Sequence, residues 1–206
     1  MTTGDAPRLH HVNFLTTRLD EMIDWYAAVL GMEVVFRFPN GAWITNDEAN
    51  HRIALTTPPG LARDPDKGAH DRLHHAAFEY ASFDDLDDAY LRLRAEGIVP
   101  RACLDHGITL SYYYADPDGN YVELQCDVFG DWARSKEWMA TSPEFEANPI
   151  GAAVDPARVS EARAAGTGLA DIRRRIWETD DFRPDEPPDM GGPAPRPGDP
   201  PLPLKW

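Results

Sequence analysis

The sequence predicts an α+β protein built from two tandem modules, each with the element order strand, helix, strand, strand, strand (βαβββ). The same order of hydrophobic patterns runs through residues 8–57 and again through residues 73–127. Each copy also opens on a His pair, in Leu9-His-His-Val-Asn-Phe14 and in Leu73-His-His-Ala-Ala-Phe78. Because element order and a motif repeat together, the repeat is a stronger indication than the assignment of any single element.

The first module places one helix between its first two strands. Residues 8–17 alternate as a strand with His11 on one face and His10 on the other. A helix follows, with Asp20 placed to cap its start and Gly31 placed to end it as a left-handed residue. Three strands then complete the module, at residues 32–38, 42–46 and 51–56.

The second module follows a loop at residues 58–72, which is rich in Pro, Gly and charge. A strand at 73–82 and a helix at 83–97 come next. Three further strands are expected at residues 99–104, 108–115 and 120–127. The last two are joined by Asp116-Pro-Asp-Gly-Asn120, where Pro fixes one φ and Gly supplies a positive one, so a tight hairpin is expected.

After the paired domain at 8–127, the pattern changes to a helical extension at 128–181 with helices expected at 131–141 and 155–178. This extension is a suitable dimer contact, so a homo-oligomer is expected. The tail at 182–206 holds nine of the 19 prolines and is expected to be extended and mobile. Three apolar residues of the tail are candidates for docking, namely Leu202, Leu204 and Trp206.

Composition excludes several classes of partner. The 206 residues are 42% apolar, which suffices for a core. A net charge of -15 disfavours nucleic acid and anionic membrane, because both repel an acidic surface. With only Cys103 and Cys126, a disulfide scaffold is not expected. Residues 1–7 lack the features of a secretion signal, and no run approaches the ~20 apolar residues of a membrane span, so a cytoplasmic protein is expected.

Three residues form a candidate metal site. His11 and His75 open equivalent strands of the two copies, and Glu123 lies on the last strand of the second. They converge if the strands curl into one mixed sheet around a cleft. Two imidazoles and one carboxylate on one face of a divalent metal leave up to three positions for water, substrate or oxygen, as in non-haem Fe(II) oxygenases. Mn(II), Co(II), Ni(II) and Zn(II) also accept this set, so the ligands alone do not name the metal.

Four motifs surround these residues: His11-Val-Asn-Phe14, Tyr26-Ala-Ala-Val-Leu-Gly31, His74-His-Ala-Ala-Phe-Glu79 and Tyr113-Tyr-Ala-Asp-Pro-Asp-Gly-Asn-Tyr-Val-Glu123. Together they resemble the vicinal oxygen chelate superfamily, and within it the single-domain type I extradiol catechol dioxygenases. The resemblance covers residues 8–127 and does not reach the Pro-rich tail. It implies that the paired modules enclose a metal cleft.

The resemblance also implies roles for individual residues. The family carries its metal ligands at the positions of His11, His75 and Glu123. His51 matches an acid–base His that opens the last strand of the first module. Tyr113, ten residues before Glu123, matches a Tyr that hydrogen-bonds the substrate. His106 matches a further active-site His, although it stands closer to Tyr113 than the family pattern leads us to expect. The other members of the two His pairs, His10 and His74, alternate to the opposite strand face and are expected to be structural.

The resemblance implies an Fe(II)-dependent extradiol dioxygenase that cleaves the ring of a catechol with O2, with Mn(II) as a second possible metal. One alternative is a metal-dependent isomerase, epimerase or lyase acting through an enediolate. Such relatives usually add a Glu or Gln ligand from the last strand of the first module, where this chain has Arg52-Ile-Ala-Leu55. Another is a small-molecule-binding resistance protein, which needs no metal and is disfavoured by a complete ligand set.

Overall fold

In the computed structural model of the protein, residues 6–193 and 204–205 can be described. The chain divides into two compact units. The first comprises the residues up to Lys67 together with Asp116–Asn120, and the second comprises residues 68–115 and the chain from Tyr121 onwards. No helix in the described ranges is long and apolar enough to cross a membrane.

The first unit has the expected βαβββ order. Its elements are β1 (Val12–Leu15), α1 (Leu19–Leu30), β2 (Glu33–Phe38), β3 (Gly41–Thr45) and β4 (Ile53–Thr56). The strands form one mixed sheet in the order β1-β4-β3-β2, in which β1 runs parallel to β4 and the other neighbours are antiparallel. The His pair His10 and His11 lies just before β1, which is shorter than expected.

Helix α1 covers the sheet of the first unit with one apolar face. Met22, Tyr26 and Val29 recur at helical spacing and are fully buried. The helix ends at Gly31, whose φ of 64° confirms the left-handed stop. The expected cap at Asp20 is wrong, because the cap position is Arg18, the helix begins at Leu19, and Asp20 lies within the first turn.

The second unit repeats the order and then extends it. The repeated elements are β5 (His75–Tyr80), α2 (Phe83–Ala95), β6 (Ala102–Asp105), β7 (Thr109–Ala115) and β8 (Tyr121–Asp127). Strand β5 runs parallel to β8, while β6, β7 and β8 are antiparallel. The α+β class with tandem βαβββ modules is therefore confirmed. Each module forms its own hydrogen-bonded sheet, so the strands make two mixed sheets where one curled sheet was expected.

The extension and the tail together add six elements to the described part of the second unit. These are α3 (Trp132–Thr141), α4 (Pro143–Ala147), β9 (Gly151–Ala153), α5 (Pro156–Ala164), α6 (Leu169–Glu178) and β10 (Leu204–Lys205). The single helix expected at 155–178 is wrong, because the chain leaves helical geometry at Gly166, with φ of 88°, before α6 begins. Strands β9 and β10 join the edge of the second sheet beside β6.

The tail is more ordered than the sequence suggested. Leu204 lies in β10, so this docking candidate is confirmed, while Leu202 and Trp206 lie outside the described residues. Residues 189–191 are held by hydrogen bonds to the body of the second unit, which contradicts the expectation of mobility for this stretch. Cys103 and Cys126 are buried and free, as expected.

Candidate active site

The centre of the candidate site is the contact between His75 and Glu123. His75 begins β5 and Glu123 lies in β8, and these strands are parallel neighbours. His75 Nε2 lies 3.0 Å from Glu123 Oε2. The carboxylate is only 5% exposed, so it is one of the few buried acids of the second unit. A Glu in this position requires a charged partner, because an isolated buried carboxylate is costly.

The pKa of Glu123 is lowered despite its burial. Desolvation alone would raise it, but hydrogen bonds from the His75 and Ser111 side chains and the electrostatic effect of the nearby His75 and His106 rings outweigh desolvation. The group is thus an anion at neutral pH. Since nitrogen and oxygen lone pairs 3.0 Å apart repel, a proton or a cation must lie between His75 and Glu123. This donor pair fits a divalent transition-metal ion.

Tyr113 and His106 extend the site along β7. Tyr113 stands directly opposite Glu123 in the antiparallel pair and donates to Glu123 Oε1 at 3.0 Å. Its oxygen also lies 2.8 Å from His106 Nε2. Burial first, and the Glu123 charge second, raise the pKa of Tyr113, so the phenol stays protonated at neutral pH.

His106 is oriented by a backbone group of the extension. Its Nδ1 lies 2.6 Å from the Ile150 carbonyl oxygen, which can only accept, so Nδ1 carries the proton of a neutral ring. Burial lowers the pKa of His106 and favours that neutral form. His106 Nε2 is then an acceptor, and the single Tyr113 proton has two acceptors, His106 and Glu123.

The backbone around His106 is fixed by a buried ion pair. Asp105 is fully buried and is bound by Arg173 of α6, with Nε to Oδ2 at 2.9 Å and Nη2 to Oδ1 at 3.3 Å. Arg173 Nη2 also donates to the Gly107 carbonyl at 2.7 Å. The residues on both sides of His106 are therefore held by one guanidinium group, which suits planar bidentate recognition.

A second group of residues lies in the first unit. The ring nitrogens of His10, His11 and His51 all lie within 4.8 Å of one another, close enough to bind one metal ion. His51 Nδ1 is 2.7 Å from Asn50 Oδ1, and its ring stacks on Trp43 with centroids 5.3 Å apart. Desolvation lowers the pKa of His51, and the charges of His11 and His10 lower it further.

The structure thus brings four of the six expected residues together in the second unit and two in the first. His75, Glu123, Tyr113 and His106 form one connected chain of contacts. His11 and His51 are neighbours in the first unit, with ring centroids 4.3 Å apart.

Comparison with known proteins identifies the family. The profile of the Glyoxalase/Bleomycin resistance protein/Dioxygenase superfamily matches residues 8–124. The chain belongs to this superfamily. Among curated members, it is 41% identical over 172 residues to biphenyl-2,3-diol 1,2-dioxygenase 3 of Rhodococcus globerulus, and 38% identical to biphenyl-2,3-diol 1,2-dioxygenase 2 of the same organism. Each alignment covers 84% of this chain and 90% of the relative.

Solved structures of the superfamily agree on the fold. A glyoxalase/dioxygenase from Nostoc punctiforme aligns with a TM-score of 0.50 at 20% identity, over 62% of this chain and 95% of that one. The aligned portion is close to the share of the chain that the superfamily profile covers. The superfamily profile ends at residue 124, before the extension begins, whereas the alignments with the Rhodococcus relatives cover 172 residues.

The first members of the two His pairs were misjudged from the sequence. His10 Nδ1 lies 3.1 Å from His11 Nδ1, and His74 Nδ1 lies 2.8 Å from His75 Nδ1. Strand alternation separates side chains only within regular strands, and both pairs stand at or before the first strand residue. The repeat of the His pair in both modules was the available signal that the two members of each pair belong together.

Proposed function

We propose that this chain is an extradiol ring-cleaving dioxygenase, which opens the ring of a catechol next to its two hydroxyl groups and incorporates both atoms of O2. The observation that carries the proposal is the connected chain His75, Glu123, Tyr113 and His106, in which a buried carboxylate, two imidazoles and a phenol are in successive contact. The names of the two Rhodococcus relatives support the same reaction.

The proposed metal is Fe(II), with Mn(II) as a second candidate, held by His11, His75 and Glu123. The family resemblance supports this set, and the lowered pKa of Glu123 keeps the carboxylate ready to bind a cation. When bound, the metal supplies a Lewis acid for the catechol oxygens and a position for O2. Within the first unit, His11 lies close to His10 and His51, and the three side chains could together hold one metal ion.

The remaining residues act on protons. His51 is the proposed acid–base group, because an imidazole can take up and release a proton. Its lowered pKa favours the neutral ring, which can act first as a base. Tyr113 is protonated and donates a hydrogen bond to a substrate oxygen. His106, neutral and held by the Ile150 carbonyl, helps to place the substrate by accepting through Nε2.

The proposed substrates are catechols that carry an apolar or aromatic group. Both Rhodococcus relatives are named for biphenyl-2,3-diol, a catechol with a second ring. The first unit supports this class, because an aromatic wall of Phe36, Phe38 and Trp43 lies beside His51. Phe36 is 52% exposed and Trp43 is 40% exposed, so both rings can contact a ligand.

Partners other than small molecules are not expected. The net charge of -15 disfavours nucleic acid and anionic membrane surfaces. The proposed assembly is a homo-oligomer, dimeric or higher, for which the helical extension is the candidate contact.

The test is anaerobic reconstitution of the purified chain with Fe(II), followed by oxygen and either catechol or biphenyl-2,3-diol. We expect one O2 consumed per substrate and the yellow colour of a ring-fission product, with a lower KM for biphenyl-2,3-diol. Glu123→Gln removes the anionic ligand and should abolish both the colour and stoichiometric Fe(II) binding.

The matched control is Glu79→Gln, which changes a solvent-exposed acid at the penultimate position of β5. It should leave turnover unchanged. Stoichiometric metal binding without O2 uptake on any catechol would overturn the dioxygenase proposal and favour the isomerase class.

A further inference from the structure

His74, which precedes β5, has both ring nitrogens in contact with other groups. Its Nδ1 lies 2.8 Å from His75 Nδ1, and its Nε2 lies 2.8 Å from the Met190 carbonyl oxygen. The ring also stacks on Tyr121, with centroids 5.2 Å apart and planes 20° from parallel. The imidazole is therefore fixed in both position and rotation.

The direction of each hydrogen bond follows from the carbonyl. A carbonyl oxygen only accepts, so the proton of the His74 ring is on Nε2. The neutral ring then presents a lone pair at Nδ1, which can accept only from a protonated His75 Nδ1. With its proton on Nδ1, a neutral His75 ring would bind a cation through Nε2, the nitrogen that lies 3.0 Å from Glu123 Oε2.

We propose that His74 is a positioning residue, which holds the His75 ring in the tautomer and orientation that a divalent cation requires. Metal-binding histidines commonly donate their second ring nitrogen to an acceptor, which fixes the ring and raises its basicity. Here the acceptor is a second histidine, anchored in turn by a backbone carbonyl. The inference rests on the metal site of the proposed function.

The anchor belongs to a short stretch of the tail, the residues 189–191, which we call the carbonyl strap. Its three consecutive carbonyls accept from Tyr121 Oη at 3.0 Å, from His74 at 2.8 Å and from Arg72 Nη2 at 2.7 Å. Gly191 has φ of 63°, and a Cβ there would lie 2.3 Å from the Tyr121 ring. The strap is thus fitted closely to the residues that hold His74, which gives this part of the tail a role at the site.

The experiment compares two substitutions with opposite effects on packing and on hydrogen bonding. His74→Phe keeps an aromatic ring against Tyr121 but removes the acceptor. His74→Asn loses the ring but places a carboxamide oxygen near the former Nδ1 position. Affinity for Co(II) and for Fe(II) is measured by competition with a chelator under anaerobic conditions, and thermal unfolding of the metal-free protein is measured alongside.

We expect His74→Phe to weaken metal binding by about 10–100-fold and His74→Asn to recover most of that loss. A role in packing alone predicts the reverse order, so an Asn variant that binds metal more weakly than the Phe variant would overturn the inference. A His74→Phe variant that binds metal as tightly as the wild type would also overturn the inference. Should His74→Phe not fold, His74→Leu replaces it as the variant without an acceptor.

Metal binding and catechol cleavage distinguish failure of this inference from failure of the proposed function. A wild-type chain that binds no divalent metal overturns both this inference and the metal site on which it rests. A chain that binds metal in the expected order of variants but cleaves no catechol supports the role of His74 and overturns only the dioxygenase proposal.

Discussion

Three consecutive tyrosines of β7 have different environments, because successive side chains of a strand point to opposite faces. Tyr113 faces Glu123 and His106, while Tyr112 and Tyr114 point into the packing beneath α2. The hydroxyl groups of Tyr112 and Tyr114 are buried and make no hydrogen bond within the described part of the chain. One strand thus offers a functional phenol and a matched control next to it.

Tyr113→Phe should lower kcat/KM for the preferred catechol by roughly 10²-fold, because it removes the one proton shared between His106 and Glu123. Tyr112→Phe should leave kcat/KM unchanged, and by deleting an unpaired buried hydroxyl it should raise the free energy of unfolding by about 1 kcal/mol. O2 uptake gives the first quantity and urea unfolding the second. Equal losses of activity in the two variants would contradict the assignment of Tyr113.

At the level of single residues, the sequence predicts the facing of side chains in regular strands, but it does not predict which backbone groups form hydrogen bonds with them. The turn Asp116–Asn120 and the alternation of its flanks are sufficient to place Tyr113 opposite Glu123, and the pairing confirms it. The Ile150 carbonyl against His106 lies 44 residues away along the chain. Every residue carries such a carbonyl, so no residue type marks the one that is used.

Among the elements, α6 acts on the site through a single residue. Arg173 pairs with the fully buried Asp105 and also binds the Gly107 carbonyl, whereas Arg174 forms ion pairs with Asp171 and Glu178 at the surface. The two arginines are adjacent on one helix and differ in burial of their partners. They form a natural comparison between a buried and an exposed ion pair.

Arg173→Met should lower the free energy of unfolding by about 3 kcal/mol, because it leaves the Asp105 carboxylate buried without its cation. It should also lower kcat/KM, and this loss should largely disappear when His106→Gln is already present, since Arg173 acts through His106. Arg174→Met should change neither quantity measurably. Additive effects of Arg173→Met and His106→Gln on kcat/KM would show that the arginine acts elsewhere.

Strand β9 imposes a second constraint on the same loop. Gly151 has φ of 98°, and a Cβ there would lie 2.0 Å from the Asp105 carbonyl oxygen and 2.8 Å from His106 Cα. Gly166 has a similar φ of 88° but nothing within 4 Å of the corresponding position. Substituting each glycine with Ala therefore distinguishes two contributions to the unfolding free energy. One is the strain of a positive φ, and the other is a steric clash of the new Cβ with neighbouring backbone.

Gly166→Ala should cost about 1 kcal/mol of unfolding free energy, which reflects its positive φ alone. Gly151→Ala should cost clearly more and should also lower kcat/KM, because the backbone at His106 must move. Urea unfolding and O2 uptake on both variants check this. If Gly151→Ala retained full activity, the contact between β9 and His106 would have no part in catalysis.

Element prediction succeeded where a pattern was long and failed where it was short. The two module helices and their strands were expected from periodicity and from the repeat, and the structure confirms them. Strand β9 has only three residues, too few for a period to show. The extension helix was predicted as one element because its apolar spacing continues past Gly166, although the backbone does not.

For the whole molecule, the net charge and the internal repeat bear on different properties. The net charge of -15 describes the solvated surface, whereas the fold was predicted from the internal repeat. The order of the tail could not be predicted, because the carbonyl strap gains its contacts from Arg72, His74 and Tyr121, which the sequence places far away. The amino-acid composition of a segment indicates how flexible that segment is when it is undocked, but it does not show which surface of the protein the segment binds.

The stability of the whole chain should fall on mild acidification. Burial lowers the pKa of His106, and desolvation together with His11 and His10 lowers that of His51. Below about pH 6.5 the unfolded chain therefore binds protons that the folded chain excludes, so stability present above that pH is lost as the pH falls toward the lowered values. The metal-free wild type should lose more unfolding free energy between about pH 7.5 and 5.5 than His106→Gln does, as measured by urea unfolding. An equal loss in both proteins would show that His106 is not the neutral, buried ring on which its contact with Tyr113 depends.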